Sequence, residues 1–237
     1  MPNKPKLQNS EKFQVRTAIL VDGGFYRKRA QSLLGYKPPK ERANELEKYC
    51  IEHLRDSYEH RYLYRIFYYD CPPLQKVIYN PITQKSFDLA KTPDYSWAVS
   101  FFDELRHRRK FALRMGAISE NSIYYTIKPD IVKKLFRGDQ KINELNQSDL
   151  SLHLEQKGVD MRIGVDISSL SFKHQVDQII LISGDSDFVP AAKQARREGI
   201  DFILDPMRSP IRPDLHEHID GIRTPRSLPK FKIDSHN

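Results

Sequence analysis

The chain has 237 residues, of which 39% are hydrophobic and 11% aromatic, a composition that supports one sizeable folded domain and excludes wholesale disorder. Its two cysteines, Cys50 and Cys71, are too few for a disulfide framework or an all-cysteine zinc cluster, and they favour a reducing compartment. The 39 lysine and arginine residues exceed the 31 acidic residues and give a net charge of +8, which favours a polyanionic partner but is weak evidence alone.

The sequence offers no candidate for a membrane or targeting segment. The apolar run at residues 179–182 is far shorter than the roughly 20 residues that a membrane-spanning helix needs. Residues 1–11 are polar and lack the apolar stretch of a signal peptide. We therefore expect a soluble, cytoplasmic protein with no membrane partner.

Apolar runs alternate with segments of helical spacing over most of the chain. The runs predict strands over residues 15–22, 62–69, 111–118, 123–127, 178–183 and 200–204. The helical spacing predicts helices over residues 26–34, 40–58, 97–110, 160–174 and 188–198. The strands at 111–118 and 123–127 could form a hairpin, whereas residues 128–156 show no clear pattern. Alternating strands and helices predict an α/β fold with a mainly parallel, Rossmann-like sheet flanked by helices.

The expected organisation is one domain with two flanking segments. Residues 1–14 read as a flexible leader, residues 15–205 as the domain, and residues 206–237 as a proline-rich C-terminal tail. In open parallel sheets, ligands bind beyond the carboxyl ends of the strands. The residues that follow each predicted strand are therefore the first candidates for a functional site.

Aspartates follow two of these strands. Asp22 ends the strand at 15–22 and precedes two glycines that let a ligand approach closely, although an aspartate that caps the next helix explains it equally well. Asp185 and Asp187 follow the strand at 178–183 in a tight turn, where two carboxylates can share one divalent cation. Asp187 also suits the N-cap of the next helix, whereas Asp185 has no such obvious structural role.

Two further aspartates lie on the predicted helix at 160–174. Asp160 shares a helix face with Ile163 and Ile167, so we expect it at the buried edge of the first turn, pointing toward the strand ends. Asp166 lies roughly 120° away around the helix axis. We expect Asp166 to support the site indirectly, by pairing with a neighbouring lysine or arginine.

Carboxylates gathered at one edge of a sheet repel one another, and a divalent cation relieves that repulsion. Oxygen ligands alone suit Mg²⁺ or Mn²⁺, and such an ion orients water and stabilises charge on a scissile phosphate. Asp70 and Asp205 also end predicted strands, but we interpret both as turn formers. The predicted catalytic residues and metal ligands are Asp22, Asp160, Asp185 and Asp187.

Four segments in order along the chain resemble the NYN domain, a branch of the PIN-like nuclease superfamily. They read ILVDGGFYRKR, YRIFYYDCPP, QKGVDMRIGVDI and LISGDSDFVPAAKQARREGI, and the resemblance covers about residues 15–205. It implies a PIN-like sheet, dependence on Mg²⁺ or Mn²⁺, and ribonuclease chemistry, which we expect to be endonucleolytic. The family's acidic positions map onto the same four aspartates. Lys157 and Asp166 also fall within the matching motifs, and Ser183, a candidate supporting residue like Asp166, matches the turn that precedes the acidic pair.

The sequence departs from the family pattern in two places. Many members carry an asparagine just after the first aspartate, where this chain has Gly23, Gly24 and Phe25. Residues 119–155 look like an insertion relative to compact members. This insertion could shape the choice of substrate, block the site or form the contact of a homodimer.

Basic and aromatic residues near the motifs are candidate contacts for RNA, either single-stranded or structured. Aromatic rings can stack on unpaired bases, and basic side chains can follow a phosphate backbone. Ordinary solvated helix faces and core aromatics explain these residues about equally well. The candidates are Phe25, Tyr26, Arg27, Lys28, Lys157, Arg106 and Arg109.

Two alternatives to a nuclease remain at this level. The missing asparagine and the insertion favour a non-catalytic RNA-binding or regulatory scaffold on the same fold. The spacing of Asp185 and Asp187 also fits a phosphatase that uses an aspartate nucleophile. That second alternative is weak, because the first strand ends at Asp22 without a second aspartate two residues later.

Overall fold

The structure is a computed structural model that describes residues 14–55 and 60–228. The leader expected over residues 1–14 therefore lies outside the described residues, apart from Gln14, which begins the first strand. Residues 56–59, which include the end of the helix expected over residues 40–58, also lie outside the described residues. No helix within the described ranges is long and apolar enough to cross a membrane.

Six parallel strands form the central sheet, in the order β10-β9-β8-β1-β2-β5. Two small antiparallel pairs, β3 with β4 and β6 with β7, stand outside it. The strands are β1 (Gln14–Asp22), β2 (His60–Asp70), β3 (Val77–Asn80), β4 (Lys85–Asp88), β5 (Phe111–Met115), β6 (Ala117–Ile127), β7 (Leu150–Lys157), β8 (Gln178–Ile182), β9 (Asp201–Asp205) and β10 (Gly221–Ile222).

The described chain has seven α-helices. They are α1 (Gly23–Leu34), α2 (Pro39–Glu52), α3 (Pro93–Arg106), α4 (Pro129–Arg137), α5 (Val159–Phe172), α6 (Val189–Arg197) and α7 (Pro213–His216). All but α4 cover the two faces of the sheet. One core cluster joins one face of the sheet to α5, α6 and α7, and the other joins the opposite face to α1, α2 and α3. The structure confirms an α/β fold with a parallel, Rossmann-like sheet between helices.

The central strands read as continuous apolar runs because both of their faces are covered. In β1, Ala18 and Leu20 face the cluster with α5 and α6, while Ile19 and Val21 face the cluster with α1 and α2. All four side chains are fully buried. The carboxyl ends of the parallel strands consequently meet at one edge of the sheet, called the carboxyl edge below.

The structure corrects the prediction for residues 111–127. Residues 111–115 form β5 on the edge of the central sheet, and no hairpin joins the predicted strands at 111–118 and 123–127. Instead, β6 pairs with β7, which the sequence did not predict, and α4 lies between them. Ala117 pairs with Lys157, so residues 117–157, called the arm below, leave and rejoin the domain at one point.

The expected tail beyond Asp205 is part of the fold as far as it is described. Met207, Leu215 and Leu228 are buried, and β10 adds a sixth parallel strand. The Asp205 carboxylate is fully buried, where it accepts hydrogen bonds from Tyr49, His53, Thr224 and the Met207 amide. Asp205 therefore fastens the C-terminal segment to α2, a more extensive structural role than a simple turn.

Candidate functional site

The first acidic residue of the site, Asp22, stands where β1 becomes α1. Its Oδ1 accepts a hydrogen bond from the Phe25 amide at 3.0 Å, so it caps the helix, and its Oδ2 accepts one from the Ser183 hydroxyl at 3.2 Å. Val21 pairs with Ile182 across the sheet, which places Ser183 directly beside Asp22. Asp22 therefore caps α1 and can still act as a ligand, and the Ser183 hydroxyl contacts its carboxylate directly.

The Asp22 carboxyl group is half-buried among other carboxylates. Desolvation raises its pKa to about 6 and outweighs the hydrogen bonds from Phe25 and Ser183, with further increments from the charges of Asp160 and Asp70. A shift of this size means that the ionised group is poorly compensated by the protein. A cation at this position would restore the compensation.

The turn after β8 carries the acidic pair. The Asp185 amide donates to the Ser183 hydroxyl at 3.3 Å, and Asp185 Oδ1 accepts from the Asp187 amide at 3.0 Å. Asp185 is thus the N-cap of a short 3-10 turn over Ser186–Phe188, whereas Asp187 makes no capping contact. The cap assignment expected from the sequence is wrong, and both carboxylates remain exposed to solvent.

Asp160 lies in the first turn of α5, next to this acidic turn. Val159 is the buried residue there, and Asp160 is exposed, so the predicted buried position of Asp160 is wrong. The pKa of Asp160 is nevertheless raised, first by partial desolvation and then by the charges of Asp185 and Asp187. The charge of Asp160 thus acts on Asp22, and the charges of Asp185 and Asp187 act on Asp160, although three different elements supply these aspartates.

The donor set suits a hard divalent cation. Among the described residues, none of the four aspartates forms an ion pair with a lysine, arginine or histidine. The described side chains also include no group of three or more His, Cys, Asp or Glu residues close enough to hold a metal ion as they stand. Carboxylate oxygens with room for water match Mg²⁺, which keeps several of its waters, better than a metal that needs a closed protein cage.

Asp70, which we expected to be only a turn former, lies at the inner border of the site. Its carboxylate is fully buried at the end of β2 and forms an ion pair with Arg27, with an Nε to Oδ2 distance of 3.0 Å. A Cβ atom on Gly23 would lie 2.6 Å from Asp70 Oδ2, so the carboxylate fills the space that the glycine leaves open. Its position at a parallel strand end was the available signal, but the following Cys-Pro-Pro favoured a turn.

Asp166 has partners of its own. It accepts hydrogen bonds from the Tyr69 hydroxyl at 2.8 Å and from Arg114 Nε at 3.0 Å. The expected pairing with a basic residue is present. The structure gives Asp166 no contact with the four site aspartates, so it ties α5 to β2 and β5.

The predicted RNA contacts that follow Asp22 include one core residue and three residues at or near the surface. Tyr26 is 1% exposed and donates its hydroxyl hydrogen to Glu45, so it cannot stack on a base. Phe25 is half-buried and packs on Gly184, where a Cβ atom would lie 2.6 Å from its ring. Arg27 is anchored by Asp70, and Lys28 is exposed.

The remaining basic candidates lie in two different places. Lys157 is exposed at the end of β7, two residues before α5, and Glu155 lies 3.6 Å from its Nζ. Arg106 and Arg109 precede β5 and therefore lie at the opposite end of that strand from the carboxyl edge. The structure separates these two arginines from the acidic site, because a helix that returns to a parallel sheet ends at its amino edge.

Comparison with known proteins gives one family assignment. No curated protein matches the chain significantly. A crystal structure of a protein of unknown function from Vibrio parahaemolyticus RIMD 2210633 aligns over 91% of this chain and 94% of that chain, with 15% identity and a TM-score of 0.47. The family model described as NYN domain matches residues 16–211, which include every candidate acidic residue. On that match, the chain belongs to the NYN domain family.

Proposed function

We propose that this NYN domain is a metal-dependent ribonuclease that hydrolyses phosphodiester bonds in RNA. The observation that best supports the proposal is the group of uncompensated carboxylates at the carboxyl edge, in a chain whose net charge is +8. A basic protein that keeps a local acidic centre can attract RNA and also bind a cation where the phosphate is cut. The proposed metal ligands are Asp22, Asp160, Asp185 and Asp187.

In this proposal the aspartates have different roles as metal ligands. Asp22 is held in place by the Phe25 amide and the Ser183 hydroxyl, and it provides a fixed oxygen ligand. Asp160 and Asp187 are exposed and can adjust to an incoming ion. When bound, Mg²⁺ or Mn²⁺ would supply charge stabilisation at the scissile phosphate and orientation of the attacking water.

The test is cleavage of labelled single-stranded RNA by the wild type and by Asp185→Asn, with Mg²⁺ or with Mn²⁺. Asparagine keeps an oxygen that can accept the Asp187 amide hydrogen, so the turn should survive the change. We expect the variant to lose at least about 100-fold in rate, as is typical when charge stabilisation at a reacting phosphate is removed. Asp139→Asn, at an exposed position beyond α4, is the matched control and should cleave normally.

A circular RNA substrate tests whether cleavage is endonucleolytic. A circular RNA has no ends, so only internal cleavage can open it. We expect the wild type to linearise the circle, and resistance of the circle alongside cleavage of linear RNA would show an exonuclease instead.

A non-catalytic RNA-binding role is the second candidate. It is favoured by the absence of a ready-made metal cluster within the described residues, and by Gly24 near the position where many relatives carry asparagine. RNA binding that survives EDTA, without turnover in either metal, would support this role. Metal-dependent cleavage that Asp185→Asn abolishes would exclude it.

A further inference from the structure

We propose that a pocket along α1 binds a nucleotide of the RNA strand, several positions from the scissile phosphate, with its base against Tyr36. This inference rests on the proposed ribonuclease function and adds a subsite to it. The pocket has a volume of about 430 Å³ and lies between α1, the α1–α2 loop and the start of α3. That volume lies within the range of small-ligand sites.

Arg27 connects the pocket to the acidic centre. It lines the pocket and also pairs with the buried Asp70 carboxylate, with Nη2 to Oδ1 and Nε to Oδ2 distances of 3.0 Å. Asp70 in turn lies against Gly23, the residue after Asp22. Arg27 therefore lies between the acidic site and the pocket. Tyr36 follows the far end of α1, whose 12 residues span about 18 Å, so one strand reaches both places only over several nucleotides.

The lining of the pocket suits an unpaired nucleotide. Trp97 and Tyr36 supply aromatic surface, and Gln31 supplies an amide for hydrogen bonds. Arg27 and Lys37 keep 31% and 34% of their side chains exposed despite their carboxylate partners, so each can also face a phosphate. Aromatic surface beside basic groups is the combination by which proteins hold single strands.

The loop that carries Tyr36 is fixed on both sides of it. The Gly35 carbonyl accepts a hydrogen bond from Arg42, whose side chain is 3% exposed, and the Lys37 carbonyl accepts one from Trp97 Nε1 at 2.9 Å. Trp97 itself stacks on Phe101 with ring centroids 4.9 Å apart. The Tyr36 side chain is nevertheless 73% exposed.

An anchored loop that displays an exposed aromatic ring is suited to stacking. The ring loses little further freedom when a base binds, because the backbone on both sides of it is already held by hydrogen bonds from Arg42 and Trp97. No packing role explains the position of this ring, since most of its surface faces solvent. Base stacking therefore gives Tyr36 a function that the fold itself does not require.

The test measures binding of a fluorescent ten-nucleotide oligouridylate by anisotropy. The background is Asp185→Asn, which keeps the RNA intact. Adding Tyr36→Ala should raise the Kd roughly 5- to 150-fold, the range for loss of one stacked base, whereas Tyr36→Phe should bind normally. Phe172→Ala removes a 65% exposed aromatic residue at the far end of α5, and it is the matched control.

An unchanged Kd in Tyr36→Ala would overturn the inference, as would an equal loss in Phe172→Ala. RNA carrying a photoreactive uridine gives a second readout, and the crosslink should map to the peptide that contains Tyr36. A crosslink confined to the arm or to α6 would also overturn it. Both readouts measure RNA binding and do not depend on cleavage. A chain that binds RNA through Tyr36 but does not cleave it would count against the ribonuclease proposal alone.

Discussion

At the scale of single residues, Asp22 illustrates how the proposed function and stability conflict. Its pKa in the fold is about 6, against about 3.9 in an unfolded chain, because burial disfavours its charge. Between these two pKa values the folded chain holds a proton that the unfolded chain releases. The free energy of unfolding therefore falls as the pH rises from about 4 to about 6.

Replacing Asp22 with asparagine should remove this penalty while keeping an N-cap acceptor for the Phe25 amide. Without divalent ions and near neutral pH, we expect Asp22→Asn to raise the free energy of unfolding by up to about 3 kcal/mol and to abolish cleavage. Urea denaturation in EDTA measures the first effect, with Asp139→Asn as the control. A variant less stable than the wild type near neutral pH would contradict the electrostatic account.

The residues of the site were predictable to different degrees. The strand-end positions of Asp22 and Asp185 are visible in the sequence, because an apolar run ends just before each motif. The burial of Asp70 was not predictable, since it depends on the space beside Gly23, a contact between the start of α1 and the end of β2. The exposure of Asp160 reflects its position at the margin of the apolar stripe of α5, where Val159 takes the buried place in the first turn.

At the scale of secondary structure elements, Gly23 sets how closely α1 approaches β2. A Cβ atom there would lie 2.6 Å from the Tyr69 carbonyl oxygen and from the Tyr68 ring, and neither can move freely within a buried sheet. We expect Gly23→Ala to lower the free energy of unfolding by about 1–3 kcal/mol, the typical cost of overpacking. Thermal unfolding checks this value.

Gly164, within α5, is the matched control for this prediction. A Cβ atom at Gly164 would meet nothing within 4 Å, so Gly164→Ala should gain helix propensity and raise the free energy of unfolding by about 1 kcal/mol. Gly23→Ala should therefore lower the melting temperature, and Gly164→Ala should raise it. Equal effects of the two changes would contradict the steric account of the β1–α1 junction.

The arm shows which elements sequence patterns can predict. Leucines alternate with polar residues over 150–155, the pattern of a half-buried strand, so a signal for β7 was present in the sequence. Its partner β6 lies beyond α4 and two short turns, and residue spacing alone does not specify such a distant antiparallel pairing. The central strands of the parallel sheet were easier to predict from the sequence, because full burial makes each of them a continuous apolar run.

At the scale of the whole molecule, the fold extends beyond the family match. Residues after 211 contribute β10, the Thr224 hydrogen bond to Asp205, and three buried apolar side chains, those of Leu215, Ile219 and Leu228. Burial of one such side chain contributes about 1.5–3 kcal/mol. Truncation after residue 211 should therefore cost more than about 5 kcal/mol, a large part of the stability of a typical domain.

The chain that ends at residue 228 keeps all of these contacts and is the reference for this prediction. Circular dichroism melts of the two shortened chains measure the difference. If the chain that ends at residue 211 melted like the full chain, β10 and the C-terminal core residues would not be part of the cooperative unit.

The central claim is that Asp22, Asp160, Asp185 and Asp187 meet around one divalent cation, and diffraction from crystals soaked in Mn²⁺ tests it most directly. The account predicts an anomalous Mn²⁺ peak at the carboxyl edge, in contact with Asp22 and at least one residue of the acidic turn, and no such peak in Asp185→Asn crystals. A wild-type crystal with no peak at this edge, or with its peak at carboxylates elsewhere, would contradict it.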